Sequence, residues 1–403
     1  MTNMYVDLPS LHQVMLDYTS KCNALCLRCA RNVEGKFLNK NMPIADMPWN
    51  VFEAFFEPAL NYINVLEYVG NFGDPALHPD LIKGIEWLRQ RENPSLRQSL
   101  GKWPHPTFQI ATNGGMNSPD WWRDLAKVLP RRLDKGFLVG NKHNLQDRPG
   151  EVVFGIDGLE GVNDLYRRQV NWDKLMENVN AFIGAGGDAT WQYILFEHNK
   201  HQVEEAREFA KKLGFNGFFT MDIFHRAEDD TGSSDTLAFV DDWHDKEEHN
   251  REHFNTGAET KKYEAMDVNY VVADKENTIS EFENVIKNQY NNDIADFQKN
   301  APIECSWCHK NRSSLLLVFN GEVWPCCFVG GQRYPKDDPW DKPGDENDFY
   351  LKTHGTYGSE FNNLNNHSLQ EILAHPWYSN DLVESFSNSN RMELCGWTCT
   401  KYK

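Results

Sequence analysis

Short apolar runs of strand length alternate with amphipathic stretches of helix length through the first 225 residues of the chain. The apolar runs predict six strands: Val14–Tyr18, Val65–Gly70, Phe108–Thr112, Val152–Ile156, Thr190–Phe196 and Gly217–Ile223. The amphipathic stretches predict helices over Trp49–Leu60, Leu81–Arg91, Pro119–Leu129, Trp172–Ile183 and His201–Leu213. Strands that alternate with helices in this way indicate parallel βαβ units. Six units are too few for a closed eight-stranded barrel, so the pattern predicts an α/β fold with a partial (β/α)6 TIM-like barrel.

Polar and glycine-containing segments follow the first four predicted strands. In chain order they are Cys22–Cys29, Gly73-Asp74-Pro75, Thr112-Asn113-Gly114 and Asp157-Gly158. In parallel α/β folds, ligands bind at the carboxyl ends of the strands. We therefore expect these four segments to converge on one site at the mouth of the barrel.

The pattern changes in the last third of the chain. Residues 226–300 are rich in acids, Asn and His, which predicts a linker or insertion with a solvated surface, although this composition also leaves a metal site open. Two apolar runs then flank Asn320-Gly321, which predicts a β-hairpin. We expect three parts: a barrel at 1–225, an acidic linker or insertion at 226–300, and a small hairpin-containing domain at 301–403 that caps the barrel mouth.

The charge of the chain excludes some classes of function. A formal net charge of −18 argues against a general binder of nucleic acid or anionic membranes. The sequence has no apolar run long enough to cross a membrane and no secretory signal at its start. We therefore expect a cytoplasmic protein, in which cysteines bind metal or do chemistry more often than they form disulfides.

The nine cysteines lie in two groups at opposite ends of the chain. Cys22, Cys26 and Cys29 share one short loop, and the other six lie beyond residue 300. This grouping favours two metal sites over cysteines scattered through a core. Three thiolates are one ligand short of the usual four for zinc or for a cubane iron–sulfur cluster. An iron without a protein ligand can bind a substrate or cofactor, although the spacing alone leaves a zinc loop or free thiols open.

The motif Cys22-x3-Cys26-x2-Cys29, with the βα pattern around it, resembles that of the radical S-adenosylmethionine (SAM) enzymes. The C-terminal cysteines are similar to those of members with an auxiliary-cluster domain of the twitch or SPASM type. In that family three cysteines hold a [4Fe–4S] cluster whose fourth iron binds SAM. An electron cleaves SAM to a 5′-deoxyadenosyl radical, which abstracts a hydrogen atom from the substrate. The resemblance is weakest between residues 226 and 300.

The resemblance also implies which residues bind SAM. They are Gly73, Asp74, Thr112, Asn113, Asp157 and Arg167. Arg167 resembles the arginine that pairs with the SAM carboxylate, although it could instead pair with a surface acid such as Asp164. The chain departs from the family at Phe72 and Gly155, where a glycine and a serine are usual. It also carries Arg28 where the family has an aromatic residue beside adenine; Arg28 could stack on the ring or point outward.

The best set of ligands for one auxiliary [4Fe–4S] cluster is Cys308, Cys326, Cys395 and Cys399. Cys305 or Cys327 could replace one of them. The two-cluster arrangement of the family usually uses seven cysteines, and only six are present here, so we expect one auxiliary cluster. A zinc ribbon remains the alternative.

The resemblance implies an oxidoreductase that acts most often on ribosomally made precursor peptides. A dehydrogenase of a sugar or aminocyclitol alcohol is the alternative, and a non-catalytic iron–sulfur or zinc protein is a third hypothesis from another class. Only about ten residues precede the first predicted strand, so a peptide substrate would imply a separate small leader-binding protein. An electron donor such as flavodoxin or ferredoxin is also expected. The sequence singles out no catalytic acid or base.

Overall fold

The computed structural model describes residues 5–26, 29–33, 35–131, 138–139, 149–196, 198–221, 313–331, 334, 349–386 and 395. The predicted insertion at 226–300 lies outside these residues, as do Arg28, Cys305, Cys308 and Cys399. None of the helices in the described ranges is long and apolar enough to cross a membrane.

Eleven strands are found in the described residues. They are β1 Gln13–Asp17, β2 Asn32–Val33, β3 Phe37–Leu38, β4 Val65–Tyr68, β5 Thr107–Thr112, β6 Leu138–Val139, β7 Gly150–Gly155, β8 Asp188–Ile194, β9 Gly217–Met221, β10 Ser314–Val318 and β11 Val323–Trp324. Strands β2 and β3 form a small antiparallel pair, and the other nine form one sheet in the order β11-β10-β1-β4-β5-β7-β8-β9-β6. All six predicted barrel strands are present, and every neighbour in the large sheet is parallel except β10 and β11.

The α-helices follow the predicted alternation. They are α1 Trp49–Ala59, α2 Leu81–Arg91, α3 Pro94–Ser99, α4 Pro119–Val128, α5 Asn163–Tyr166, α6 Trp172–Gly184, α7 Val203–Leu213, α8 Cys327–Gly331, α9 Phe349–Tyr357, α10 Leu369–Ala374 and α11 Leu382–Glu384. Sequence signals set several of their ends: the Ser118 side chain accepts from the Trp121 N–H at the start of α4, and Gly214 ends α7 in the left-handed conformation. The predicted partial (β/α)6 barrel is confirmed.

The C-terminal hairpin forms as predicted, with Leu317 opposite Val323. Strand β10 pairs in parallel with β1, so it continues the barrel sheet from a position about 300 residues away in sequence. All five residues of β10 are buried, as expected for a strand covered on both faces. The pairing covers the edge of β1, which would otherwise be an open edge of the barrel.

The two faces of the barrel sheet differ in polarity. The outer face packs against the helices through aromatic contacts such as those of Trp122 and Phe182 with Phe154. Since side chains alternate along a strand, Glu67, Gln109 and Glu151, which share one row of the register, face the interior. The Gln109 amide donates to Glu151 at 2.9 Å. The interior is therefore polar where a closed barrel would be filled with apolar side chains.

Candidate metal and cofactor site

The loop after β1 carries three free thiols, those of Cys22, Cys26 and Cys29. Its start is fixed by Ser20, whose N–H donates to the Ala45 carbonyl at 2.9 Å and whose hydroxyl donates to the Pro43 carbonyl at 2.6 Å. Within the loop, the Cys29 N–H donates to the Cys26 carbonyl at 3.2 Å. These contacts hold the three cysteines at the carboxyl end of β1, as predicted.

Burial raises the pKa of the Cys22 thiol and raises that of Cys26 to about 12, because the charged thiolates lose their hydration. These thiols are therefore protonated at neutral pH until a metal displaces the proton. No three His, Cys, Asp or Glu side chains in the described ranges meet in a ready-made metal site. Three free thiols in one loop nevertheless fit an iron–sulfur cluster by their chemistry.

One side of the loop is formed by the turns after β4 and β5, which we call the amide wall: Gly73, Asp74, Thr112 and Asn113. The Asp74 carboxylate accepts from the Ala76 N–H at 3.0 Å, the Thr112 hydroxyl at 2.8 Å and the Asn113 N–H at 2.8 Å. Burial raises the pKa of Asp74, and these donors oppose the rise. Asp74 thus holds two turns together with contacts inside the chain.

The amide wall also touches the cysteine loop directly. The Asn113 amide donates to the Asn23 side chain at 2.8 Å and approaches the Cys22 sulfur at 3.6 Å. A Cβ at Gly73 would lie 2.7 Å from the Lys21 carbonyl oxygen, and the Asp74 N–H donates to that same oxygen at 2.7 Å. Only glycine allows this approach, which brings the Gly73 turn against the start of the loop.

Phe72, the first departure from the family pattern, joins the amide wall to the C-terminal part of the chain. Its ring packs edge-on against Phe319 and Tyr334, with centroids 6.1 and 5.3 Å away. Its N–H donates to the buried Asp17 carboxylate at 3.4 Å, and Asn71 donates to the same carboxylate. A glycine at this position would remove the contact between the turn and the residues after β10.

A second group beside the loop, which we call the ion-pair wall, is formed by Asp157 and Arg167. The Asp157 side chain is fully buried, with one oxygen accepting from the Arg167 Nε–H at 2.7 Å and the other from the Ile194 N–H at 2.7 Å. Burial raises the pKa of Asp157, and the Arg167 charge opposes that rise. Arg167 therefore pairs with Asp157 rather than with Asp164.

The second departure, Gly155, makes room for Arg167. A Cβ at position 155 would lie 2.5 Å from Nη2 of Arg167 and 2.7 Å from Cζ. A serine there would displace the guanidinium from its present place. Burial raises the pKa of Cys26 and the Arg167 charge opposes that rise, so the ion-pair wall interacts electrostatically with the cysteine loop.

The sequence analysis did not identify two features of the site. The first is a small apolar cluster of Tyr166, Ile194 and Phe196 that packs against Cys26 and Met221, separate from the main core. No spacing rule singles out Phe196, because the cluster forms only where the strand ends of the barrel meet. The second is Arg31, which follows the third cysteine by two residues and is buried behind the loop. Its position beside the motif was the only signal for it.

The C-terminal cysteines are partly described. Cys326 and Cys395 are buried, and Cys327 is half-buried at the start of α8. Cys305, Cys308 and Cys399 lie outside the described residues. The predicted ligand set of Cys308, Cys326, Cys395 and Cys399 therefore stays a prediction.

Comparison with known families gives one match within the chain: residues 305–400 match the SPASM iron–sulfur cluster-binding domain. No curated protein sequence matches the chain. Among solved structures, native anSMEcpe with bound AdoMet has a TM-score of 0.48 at 13% identity over 96% of this chain and 89% of that chain.

Streptococcus suis SuiB bound to S-adenosylmethionine has a TM-score of 0.42 at 12% identity over 83% of this chain and 64% of that chain. SuiB bound to precursor peptide SuiA has a TM-score of 0.42 at 13% identity over 87% and 66%. The SPASM match confirms the predicted auxiliary iron–sulfur cluster. It also confirms the predicted C-terminal auxiliary-cluster domain, which follows a parallel β/α barrel that carries the three-cysteine loop.

Proposed function

We propose that the protein is a radical SAM enzyme that cleaves SAM reductively and abstracts a hydrogen atom from its substrate. One observation carries this proposal: three free thiols in the loop after β1 lie beside the amide wall and the ion-pair wall at the carboxyl edge of a partial parallel barrel. An iron–sulfur cluster held by the three cysteines, together with SAM, would supply the 5′-deoxyadenosyl radical. The chain itself binds the cluster, holds SAM and aims the substrate.

The residues of the two walls have different parts in this proposal. Cys22, Cys26 and Cys29 would hold the cluster. Arg167 uses Nε for Asp157, which leaves its Nη groups to bind a carboxylate such as that of SAM. The four hydrogen bonds that occupy Asp74 make it a support for the Thr112–Asn113 turn, so a direct contact of its side chain with SAM would need one of them to break.

For the substrate, we propose a ribosomally made peptide, which an auxiliary cluster would help to oxidise by accepting an electron after hydrogen abstraction. SuiB, one of the structures with a similar fold, binds a precursor peptide. A flavodoxin or ferredoxin would supply electrons to the enzyme. The alternative substrate, a sugar or aminocyclitol alcohol, is distinguished by the test below.

The first test is anaerobic reconstitution with iron and sulfide, followed by assay of 5′-deoxyadenosine from SAM with a strong reductant. We expect product from the wild-type protein and none from the variant with Cys22, Cys26 and Cys29 all replaced by Ala. Iron should fall from about eight to about four atoms per chain in that variant. Absence of product from fully loaded wild-type protein would sink the proposal, and a fall to no iron would contradict two separate sites.

The second test concerns the substrate. Neighbouring genes indicate whether a short precursor peptide or a set of sugar enzymes accompanies the chain. Each candidate is then offered with deuterium at carbon, and transfer of deuterium into 5′-deoxyadenosine identifies the true substrate class. Transfer from an aminocyclitol and none from the peptide would overturn the peptide proposal while leaving the radical chemistry intact.

A further inference from the structure

Arg31 is a buried cation at the back of the cysteine loop. Its side chain is 2% exposed. Nε donates to the Ser20 carbonyl at 2.9 Å, and Nη1 lies 3.4 Å from both the Ala24 carbonyl and the Asn32 side-chain oxygen. All three acceptors are neutral, and all three belong to the loop or its flanks.

The ion pairs among the described residues do not include Arg31. Asp46, which packs under the same loop, is bound by Lys21 at 2.5 Å and by the Thr19 hydroxyl at 2.7 Å. The buried Arg167, by contrast, has Asp157. A buried charge without a counter-charge is costly, because it has lost its hydration and gained no partner.

Arg31 lies against the cysteine loop, because the two carbonyls that it binds belong to Ser20 and Ala24, two residues before and two residues after Cys22. Three thiolates would bring to this loop the negative charge that Arg31 lacks. We propose that Arg31 is the counter-charge of the anionic cluster held by Cys22, Cys26 and Cys29, and that it is a positioning residue that raises the reduction potential of that cluster. This inference rests on the proposed function, since it needs a cluster in the loop.

Arg31 would raise the reduction potential because the two redox states of the cluster differ in charge. The reduced cluster carries one more negative charge than the oxidised cluster, so a fixed cation nearby stabilises the reduced form more. In a dry site this effect is stronger than at a surface. Because Arg31 also donates to carbonyls on both sides of Cys22, it holds the charge at a fixed place relative to the sulfurs.

Arg97 offers a matched control within the same chain. It is also fully buried, and it donates to the carbonyls of Trp103, Leu60 and Ile63 at 2.9, 2.7 and 2.6 Å. It ties together the ends of α1 and α3, and none of the described cysteines is among its hydrogen-bond partners. A substitution at Arg97 therefore reports what the loss of a buried, carbonyl-binding arginine does by itself.

The test is a redox titration of the loop cluster followed by electron paramagnetic resonance, with the signal of the triple Cys→Ala variant subtracted. In Arg31→Gln we expect the ratio of reduced to oxidised cluster at a fixed potential to fall about tenfold, which is about 59 mV for one electron. Arg31→Lys should recover most of the shift, and Arg97→Gln should leave the potential unchanged. An unchanged potential in Arg31→Gln, or an equal shift in Arg97→Gln, would overturn the inference.

A second measurement does not depend on the redox signal of Arg31→Gln. The denaturant midpoint of each variant is compared with wild type in the iron-free and iron-loaded states. Loss of Arg31 should destabilise the loaded protein and have less effect on the iron-free protein, where its charge has no partner. Equal losses in both states, as expected for Arg97→Gln, would reduce Arg31 to a structural residue.

The two hypotheses fail in different ways. If the wild-type iron content does not depend on Cys22, Cys26 and Cys29, the proposed function fails. If it does depend on them and the Arg31→Gln potential equals that of wild type, only the inference about Arg31 fails.

Discussion

Asp74 and Asp157 belong to the two groups of residues beside the cysteine loop, and both are buried carboxylates whose pKa is raised by the loss of hydration. Asp74, in the amide wall, accepts only from neutral N–H and O–H groups of its own and the neighbouring turn. Asp157, in the ion-pair wall, accepts from a guanidinium that keeps further donors for another ligand.

The difference indicates a division of labour between the two walls. The amide wall is a completed frame that sets where the loop and the Gly73 backbone lie. The ion-pair wall holds a cation in place and offers its unused N–H groups to an anion. An aspartate therefore supports the backbone in the amide wall, whereas in the ion-pair wall an aspartate orients Arg167, which can bind a ligand.

The largest expected effect follows from breaking the ion pair. Asp157→Ala leaves Arg167 without its counter-charge and the Ile194 N–H without its acceptor, so it should lower the free energy of unfolding by about 3–5 kcal/mol. Denaturant unfolding of the iron-free protein measures this. The double variant Asp157→Ala/Arg167→Met should recover part of the loss, and a single-variant loss below about 1 kcal/mol would contradict a buried pair.

Removing the matching carboxylate of the amide wall should cost less. Asp74→Ala leaves the Thr112 hydroxyl and the Asn113 N–H unsatisfied, but it strands no charge, so we expect a loss of about 1–3 kcal/mol. The same unfolding experiment applies. If Asp74→Ala were as damaging as Asp157→Ala, the distinction between a neutral frame and a charged wall would not hold.

The barrel interior beneath both walls gives a third environment for a carboxylate. Burial raises the pKa of Glu67 to about 7 from its ordinary 4.5, with a hydrogen bond from Gln13 opposing the rise. Between these values the folded protein holds a proton that the unfolded chain releases, so stability falls as pH rises from about 4.5 to about 7. Relative to Glu67→Gln, wild type should lose at most about 2 kcal/mol over this range, allowing for partial screening by solvent. A pH dependence identical in both proteins would show that Glu67 titrates normally.

The smallest effect concerns ligand binding alone. Arg167→Lys keeps the charge beside Asp157 but loses the planar fork, so SAM affinity should fall about tenfold, or about 1.4 kcal/mol, with little change in stability. Isothermal titration of SAM into the iron-loaded protein measures it. Arg168→Lys is the control for a neighbouring arginine, and equal losses in the two variants would argue against a special part for Arg167.

Short apolar runs alone located the strands that build the barrel, because most residues in β1, β4 and β5 are buried and carry that signal locally. The cysteine spacing likewise placed three thiols in one loop, since neighbours in sequence cannot move far apart. Contacts between distant segments were not predictable. The pairing of β10 with β1 and the packing of Phe72 on Phe319 and Tyr334 join residues hundreds of positions apart.

The sequence therefore determined the fold class, the two cysteine groups and the edge of the sheet at which the site lies. Only the tertiary structure decided that Asp74 is occupied by its own turn, that Gly155 makes room for Arg167, and that Arg31 is buried behind the loop without an acidic partner among the described residues. The physical reason is that the identity of a residue fixes which chemical group it carries. Its burial and its hydrogen-bond partners depend on segments that meet only after folding.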